Sequence, residues 1–269
     1  MVNMLSTREP WDAVAAGYAE TTMKAFQPVA DKALSLVEVT PGCHILDLAC
    51  GPGTLTLKAA EKALSVKAID FSEAMTEIVK MKAGEKGISN IEVLCCDGQA
   101  LPYDDVQFDA AFSIFGLMFF PDRGKGYAQV LRTLKPGGKF VMTSWAPVAK
   151  SPAMKTMFGA VKTINPDLKE PQTDVESLEN PDFFRKELET AGFRDVEIQP
   201  YTIRFNVESI EKFWHDMVRG SAPLVMLQKG FSEEEWRVKE RTAMNYLENN
   251  IGTVPTSLSS DAWIGLGVK

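Results

Sequence analysis

The chain has 269 residues, 45% of them hydrophobic, with 36 acidic against 29 basic side chains and a formal charge of −7. That length buries a sizeable core in one large domain or two small ones. The acidic balance, with no Lys/Arg-rich run, disfavours a nucleic-acid partner; no 18-residue apolar stretch is long enough to span a membrane; and MVNMLSTREPW lacks the basic start and apolar segment of a secretory signal, so a cytoplasmic protein is expected.

The first 40 residues predict two helices. Trp11, Val14, Ala15 and Tyr18 recur at helical spacing, and a second helix runs from Phe26 to Val37 until Pro41-Gly42 breaks it. The pattern then changes to strands alternating with helices. Strands are predicted at His44–Ala49, Val66–Asp70, Ile91–Cys96, Phe108–Ile114 and Lys139–Trp145. Helices are predicted at Thr54–Leu64, at Ser72–Lys86 with Ser72 as N-cap, and from about Arg123 to Leu134. Such alternation points to an α/β fold with a doubly wound, mostly parallel sheet.

The stretch Ser151–Asn180 is rich in Pro and polar residues and gives no clear element. A helix follows at Pro181–Ala191, stopped by Gly192, then a strand at Asp195–Asn206. Val207–Asn250 predicts two helices, and Ala262–Val268 a last short strand. About 40 residues between the last two strands is longer than an ordinary connection and reads as a lid or an interface. The whole chain is read as one domain: a helical segment at 1–40, a core at 41–145, and a further half at 146–269.

In a doubly wound sheet, ligands sit at the carboxyl ends of the strands. The first strand ends in Asp47-Leu48-Ala49-Cys50-Gly51-Pro52-Gly53, where two glycines allow a tight turn and close ligand approach. The second ends in Asp70, placed to accept hydrogen bonds from both hydroxyls of a ribose. The third ends near Asp97-Gly98-Gln99, which can meet the edge of a base. A dinucleotide site wants a third glycine where this chain has Thr56. Cys43, Cys50, Cys95 and Cys96 lack zinc-ligand spacing and have only two histidines to assist them, so no metal is expected and the thiols read as reduced.

The strings LDLACGPGTLTL, AIDFSEAM, CCDGQALPYDDVQFDAAFS and LKPGGKF resemble the successive motifs of class I S-adenosylmethionine (SAM) methyltransferases over residues 44–145. The closest group resembles the ubiquinone/menaquinone-biosynthesis enzymes and their small-molecule relatives. The resemblance implies a seven-stranded sheet in the order 3-2-1-4-5-7-6 with an antiparallel final strand. It implies Asp47, Ala49, Gly51 and Gly53 at the methionine end of SAM, Asp70 on the ribose with Phe71 and Met75 beside the adenosine, and Asp97, Gly98 and Gln99 at the adenine. Phe115 and Gly116 would close the pocket near the sulfonium. Trp11 and Tyr18 match a loose pattern in the N-terminal helices, Tyr18 toward the cofactor and Trp11 toward the acceptor. SIFGLMFFPD follows the fourth strand in place of N/D-P-P-Y/F, which argues against enzymes that methylate DNA bases or Gln amides.

Phe119, Trp145 and Trp214 are candidate acceptor contacts, each with core packing as the competing role. His215, in FWHDM, is the candidate base, with a solvent-facing position as the alternative. The expectation is a methyltransferase that leaves S-adenosylhomocysteine and a methylated small molecule, as a monomer or homodimer. A nucleotide-dependent oxidoreductase and a SAM-binding protein without catalysis are the rival readings. The methyl-accepting atom stays open.

Overall fold

The computed structural model describes residues 3–167 and 178–269. Seven strands form one sheet in the order β3-β2-β1-β4-β5-β7-β6. They are β1 His44–Leu48, β2 Ser65–Asp70, β3 Ile91–Cys95, β4 Phe108–Ser113, β5 Leu134–Trp145, β6 Arg194–Val207 and β7 Thr256–Val268. The first five pair in parallel, and β7 runs antiparallel between β5 and β6. The order and the antiparallel final strand agree with the expectation.

Side chains alternate across a strand, so each central strand feeds two cores. Ile45, Ala110, Phe112 and Val141 face one core, closed by Val29, Ala30 and Ala33 of helix α2 (Thr22–Ser35). Leu46, Leu48, Ala111, Phe140 and Met142 face the other, closed by helices α5 (Arg123–Thr133) and α7 (Pro181–Thr190) through Tyr127, Val130, Phe184 and Leu188. Both faces being covered explains why HILDL reads as a nearly continuous apolar run. Helix α1 (Arg8–Glu20) precedes α2, while α3 (Thr56–Ala60) and α4 (Glu73–Glu85) follow β1 and β2. Ser72 caps α4 as expected, its hydroxyl accepting the Met75 amide.

Several elements differ from expectation: α2 begins at Thr22 and β5 at Leu134, four and five residues before their predicted starts. Helix α3 is five residues long, shorter than Thr54–Leu64. Strand β7 begins at Thr256, six residues before the predicted start, because the polar segment Thr256–Asp261 pairs with Thr202–Val207 of β6. That pairing is non-local and leaves no apolar alternation to read. The insertion holds three helices: α8 Ile210–Gly220, α9 Ala222–Lys229 and α10 Glu233–Ile251. Pro223 in the first turn of α9 and the Ser232–Glu235 capping box at α10 set the two breaks. Within the stretch that gave no clear element, helix α6 spans Pro152–Ile164, and residues 168–177 lie outside those described.

The insertion has its own core. Ile210, Phe213, Trp214 and Val218 of α8 pack with Trp236, Ala243 and Leu247 of α10 and with Ala160 and Ile164 of α6. Its α8 and α9 also pack against α1. A Cβ on Gly17 would sit 2.0 Å from the Arg219 carbonyl oxygen, so only glycine permits this approach of α1 to α8. The insertion therefore buttresses α1 from behind.

Candidate functional site

A cavity open to solvent lies over the carboxyl ends of β1, β2, β3 and β4. The parallel register places these ends side by side: Asp47 lies beside Ala68 of β2 and Phe112 of β4, and Asp70 beside Cys95 of β3.

Asp70 ends β2, and its side chain is fixed from two sides. The Gly51 amide donates to Oδ2 at 2.8 Å and the Ser72 amide to Oδ1 at 2.9 Å. Two backbone donors hold the carboxylate plane while the remaining lone pairs stay available. Burial pushes its carboxyl up to about 6, with the amides of Ser72 and Gly51 working in the opposite direction. Asp47 is 1% exposed and accepts the Thr56 hydroxyl at 2.5 Å. Burial pushes it up to about 7, the Thr56 hydrogen bonds oppose this, and the Asp70 charge adds to it. Two buried carboxylates with no basic partner among the described residues lining the cavity form a site that gains from a cation.

The β1 turn has an unusual backbone. Ala49 at φ 55° and Gly51 at φ 53° both have positive φ. Phe115, just past β4, has φ 55° as well. Positive φ at two non-glycine residues is strain held by surrounding contacts, and such strain collects at functional sites. The contacts are visible here. The Phe115 amide donates to the Thr143 hydroxyl at 2.8 Å, and its ring stacks on Trp145 with centroids 4.3 Å apart. Gly116 follows, where a Cβ would lie 2.4 Å from that of Ala49. The two turns thus meet at a point where no further side chain fits.

The outer wall comes from the N-terminal helices. Trp11 and Tyr18 of α1 line the cavity, and Trp11 packs on Phe119 with centroids 5.4 Å apart. The Trp11 indole donates to the Leu5 carbonyl at 2.9 Å, and the Ser6 hydroxyl to the Phe119 carbonyl at 2.6 Å. On the floor, the Gln99 amide donates to Asp97 Oδ1 at 2.9 Å, while Gln99 Oε1 accepts the Asp122 amide at 3.1 Å.

The structure brings together Tyr18, Asp47, Ala49, Gly51, Asp70, Phe71, Met75, Asp97, Gly98, Gln99, Phe115 and Gly116, together with Trp11 and Phe119. Four expected residues lie elsewhere. Gly53, at φ 90°, serves the turn and faces Val79 and Leu57 of the packed interior. Trp145 stands behind Phe115 as packing. Trp214 is fully buried in the insertion, stacked on Trp236 and donating its indole N–H to Glu240 at 2.9 Å. His215, with a side chain 58% exposed, lies 3.6 Å from Glu240 and outside the cavity lining. The helix phase explains both: one face of α8 packs on α10, and the next residue turns to solvent.

Sequence reasoning did not place Leu5, Phe26, Thr54, Cys96 and Ile114 in the lining. Phe26 carried a signal, since it opens the apolar stripe of α2. Among the described residues no group of His, Cys, Asp or Glu could hold a metal ion, and no helix is long and apolar enough to cross a membrane.

The model of the ubiE/COQ5 methyltransferase family matches residues 22–207. The chain belongs to this family. Among curated relatives it is 37% identical over 114 residues to a demethylmenaquinone methyltransferase of Bacillus subtilis, covering 41% of this chain and 49% of that protein. It is 31% identical over 140 residues to the nocamycin O-methyltransferase of Saccharothrix syringae, covering 51% and 50%. The chain thus spans about half the length of these relatives. Its fold is shared with the YcgJ protein of Bacillus subtilis at a TM-score of 0.57 and 18% identity, over 91% of this chain and 98% of that one. SAM is the cofactor this family implies, and the donor set fits it. Among the described residues the lining offers three carboxylates, no lysine or arginine for a phosphate, and apolar walls for a nucleoside.

Proposed function

We propose that this chain transfers a methyl group from SAM to a neutral small molecule, acting mainly by positioning. The reading rests on the cavity itself: Asp47 and Asp70 stand buried at neighbouring strand ends, facing an aromatic wall that has no basic side chain among the described residues. Asp70, its oxygens already oriented by two amides, would hold the ribose hydroxyls. Phe71 and Met75 would pack on the adenosine, and Asp97, Gly98 and Gln99 would border the base. Asp47, Ala49 and Gly51 would line the methionine end, with the Asp47 carboxylate answering an ammonium group. Gly53 supports that turn from beneath. Phe115 and Gly116 would close the side nearest the sulfonium. Residues 1–269 are read as one functional unit, in which 1–40 closes the cavity and the insertion braces it.

When bound, SAM supplies an electrophilic methyl carbon. The chain has to align the acceptor with it and keep water out. Trp11, Phe119 and Phe26 give an apolar face suited to a flat or greasy acceptor. Fixing both reactants in line supplies most of the acceleration such a transfer requires. Among the described residues the lining has no histidine or lysine, and His215 lies outside it, so a base from His215 has no support. The acceptor face of Trp11, Phe119 and Phe26 offers, among the described residues, no lysine, arginine or histidine to pair with a phosphate or carboxylate, which disfavours phosphorylated or carboxylated substrates. A pyrophosphate-bearing cofactor meets the same obstacle, which weighs against the oxidoreductase reading.

The experiment is calorimetry of the purified chain with SAM, S-adenosylhomocysteine and NAD, followed by incubation of cell extract with methyl-labelled SAM. Binding of the first two, and label appearing in a neutral small molecule with release of S-adenosylhomocysteine, is the expected result. Binding of NAD alone would overturn the reading, and SAM binding without any label transfer would leave a binding protein.

A further inference from the structure

The segment from Met4 to Glu20 crosses the cavity as a strap, and its two sides are fastened differently. On the β4 side the fastening is the Ser6 hydroxyl on the Phe119 carbonyl, with Trp11 packed on the Phe119 ring. On the β2 side it is Asp12, whose side-chain oxygen Oδ1 accepts the Ser72 hydroxyl at 2.6 Å and the Ala74 amide at 3.3 Å. Arg8 joins from the rim, donating to Asp12 Oδ2 at 2.8 Å and to Glu73 Oε2 at 2.8 Å.

Ser72 is 0% exposed and every polar atom it directs here has a named partner. Its hydroxyl accepts the Met75 amide at 3.2 Å, its own amide donates to Asp70 Oδ1, and its hydroxyl proton goes to Asp12. One residue therefore touches the cap of α4, the strand-end carboxylate and the strap. Its neighbours Phe71 and Met75 line the cavity, and Asp12 is itself next to Trp11. Burial works against ionisation of Asp12, but hydrogen bonds from Ser72, Arg8 and Ala74 hold its carboxyl below the usual range. A carboxylate is also well placed at the N-terminal turn of a 13-residue helix.

We propose that Asp12 is a positioning residue that links closure of the strap to the shape of the nucleoside site, through Ser72 to Asp70. The proposal rests on the reading of the cavity as a SAM site. With the strap down, Asp12 orients Ser72, Ser72 orients Asp70, and Trp11 and Tyr18 close the outer wall. With the strap raised, the Ser72 hydroxyl loses its acceptor and the α4 turn loses its charge partner. By linkage, a ligand held by Asp70 then holds the strap down to the same degree that the strap holds the ligand. The Arg8 ion pairs lie at the exposed rim and contribute little to this coupling.

The test uses the full chain and S-adenosylhomocysteine as probe. Stopped-flow displacement gives its dissociation rate, and hydrogen exchange reports the amides of residues 8–20 with and without the probe. In the parent, the probe should protect those amides. Asp12→Ala should release the probe about tenfold faster and lose that protection, while the probe still protects the β1 turn. Asp12→Asn keeps an oxygen for the Ser72 hydroxyl and should stay within about threefold of the parent. An Asp12→Ala dissociation rate equal to the parent's, or an Asp12→Asn rate as fast as that of Asp12→Ala, overturns the proposal. If Asp12→Ala does not fold, the parent decides alone: protection of residues 8–20 by the probe supports the link, and no protection overturns it. A parent that does not bind the probe refutes the SAM reading itself, and so is distinguishable from failure of the link.

Discussion

Replacing Asp47 by Asn separates what the carboxylate costs the empty protein from what it contributes to a ligand. Burial pushes the Asp47 carboxyl from 3.8 up to about 7. A carboxyl raised in the folded state binds a proton that the unfolded chain releases. Its favourable contribution is complete below the unfolded value and is lost as pH rises through about 7. Linkage puts the whole loss at about 4 kcal/mol, more than half of it falling between pH 5 and pH 8. An amide at this position would keep an oxygen for the Thr56 hydroxyl, now 2.5 Å from the carboxylate, and would carry no charge. Asp47→Asn is therefore expected to be more stable than the parent at pH 8, by a margin that shrinks by roughly 2–3 kcal/mol at pH 5. In a chain of this size that change in margin is ~5–10 °C of melting temperature. The same variant should bind SAM about tenfold more weakly, because an ammonium group loses its counter-charge. Denaturant unfolding of both proteins from pH 5 to 8, with calorimetry at pH 8, measures the two effects. Asp70, pushed up to about 6, titrates in the same window but is common to both proteins. A margin that does not change with pH would refute the burial argument, and an unchanged affinity would remove Asp47 from the ligand contacts.

Asp70→Ala should weaken both SAM and S-adenosylhomocysteine about ten- to hundredfold, since a charged acceptor to two hydroxyls is lost; calorimetry decides, and parent-like affinity would place the ribose elsewhere. His215→Ala should leave turnover within about threefold of the parent, because the side chain is exposed and off the cavity; a fall of about 10²-fold or more in kcat would restore the base role. Trp214→Ala should cost about 3–5 kcal/mol of stability through a cavity in the insertion core, read by denaturant unfolding; the folded fraction should bind S-adenosylhomocysteine with nearly parental affinity, because Trp214 does not line the site.

The strand ends that line the cavity were legible in the sequence because their signals are local. A buried parallel strand needs a short apolar run, its turn needs glycine, and the carboxylate must be the next residue in line. Asp47, Gly51, Asp70 and Asp97 could therefore be placed without knowing any long-range contact. Trp11 and Tyr18 share one helical face, which the sequence shows, but their place at the cavity was implied only by the resemblance. Trp145, Trp214 and His215 were not decidable in this way. An aromatic residue at a strand end or on an amphipathic helix has the same local pattern whether it lines a cavity or packs a core. Only the docking of α8 on α1 and α10 turned Trp214 inward and left His215 in solvent. The polar first half of β7 and the Asp12–Ser72 contact also depend on partners far along the chain, 59 residues away for Thr202–Asp261 and 60 for Asp12–Ser72. Local periodicity carries no trace of such pairings; they exist once the sheet and the strap have been brought together.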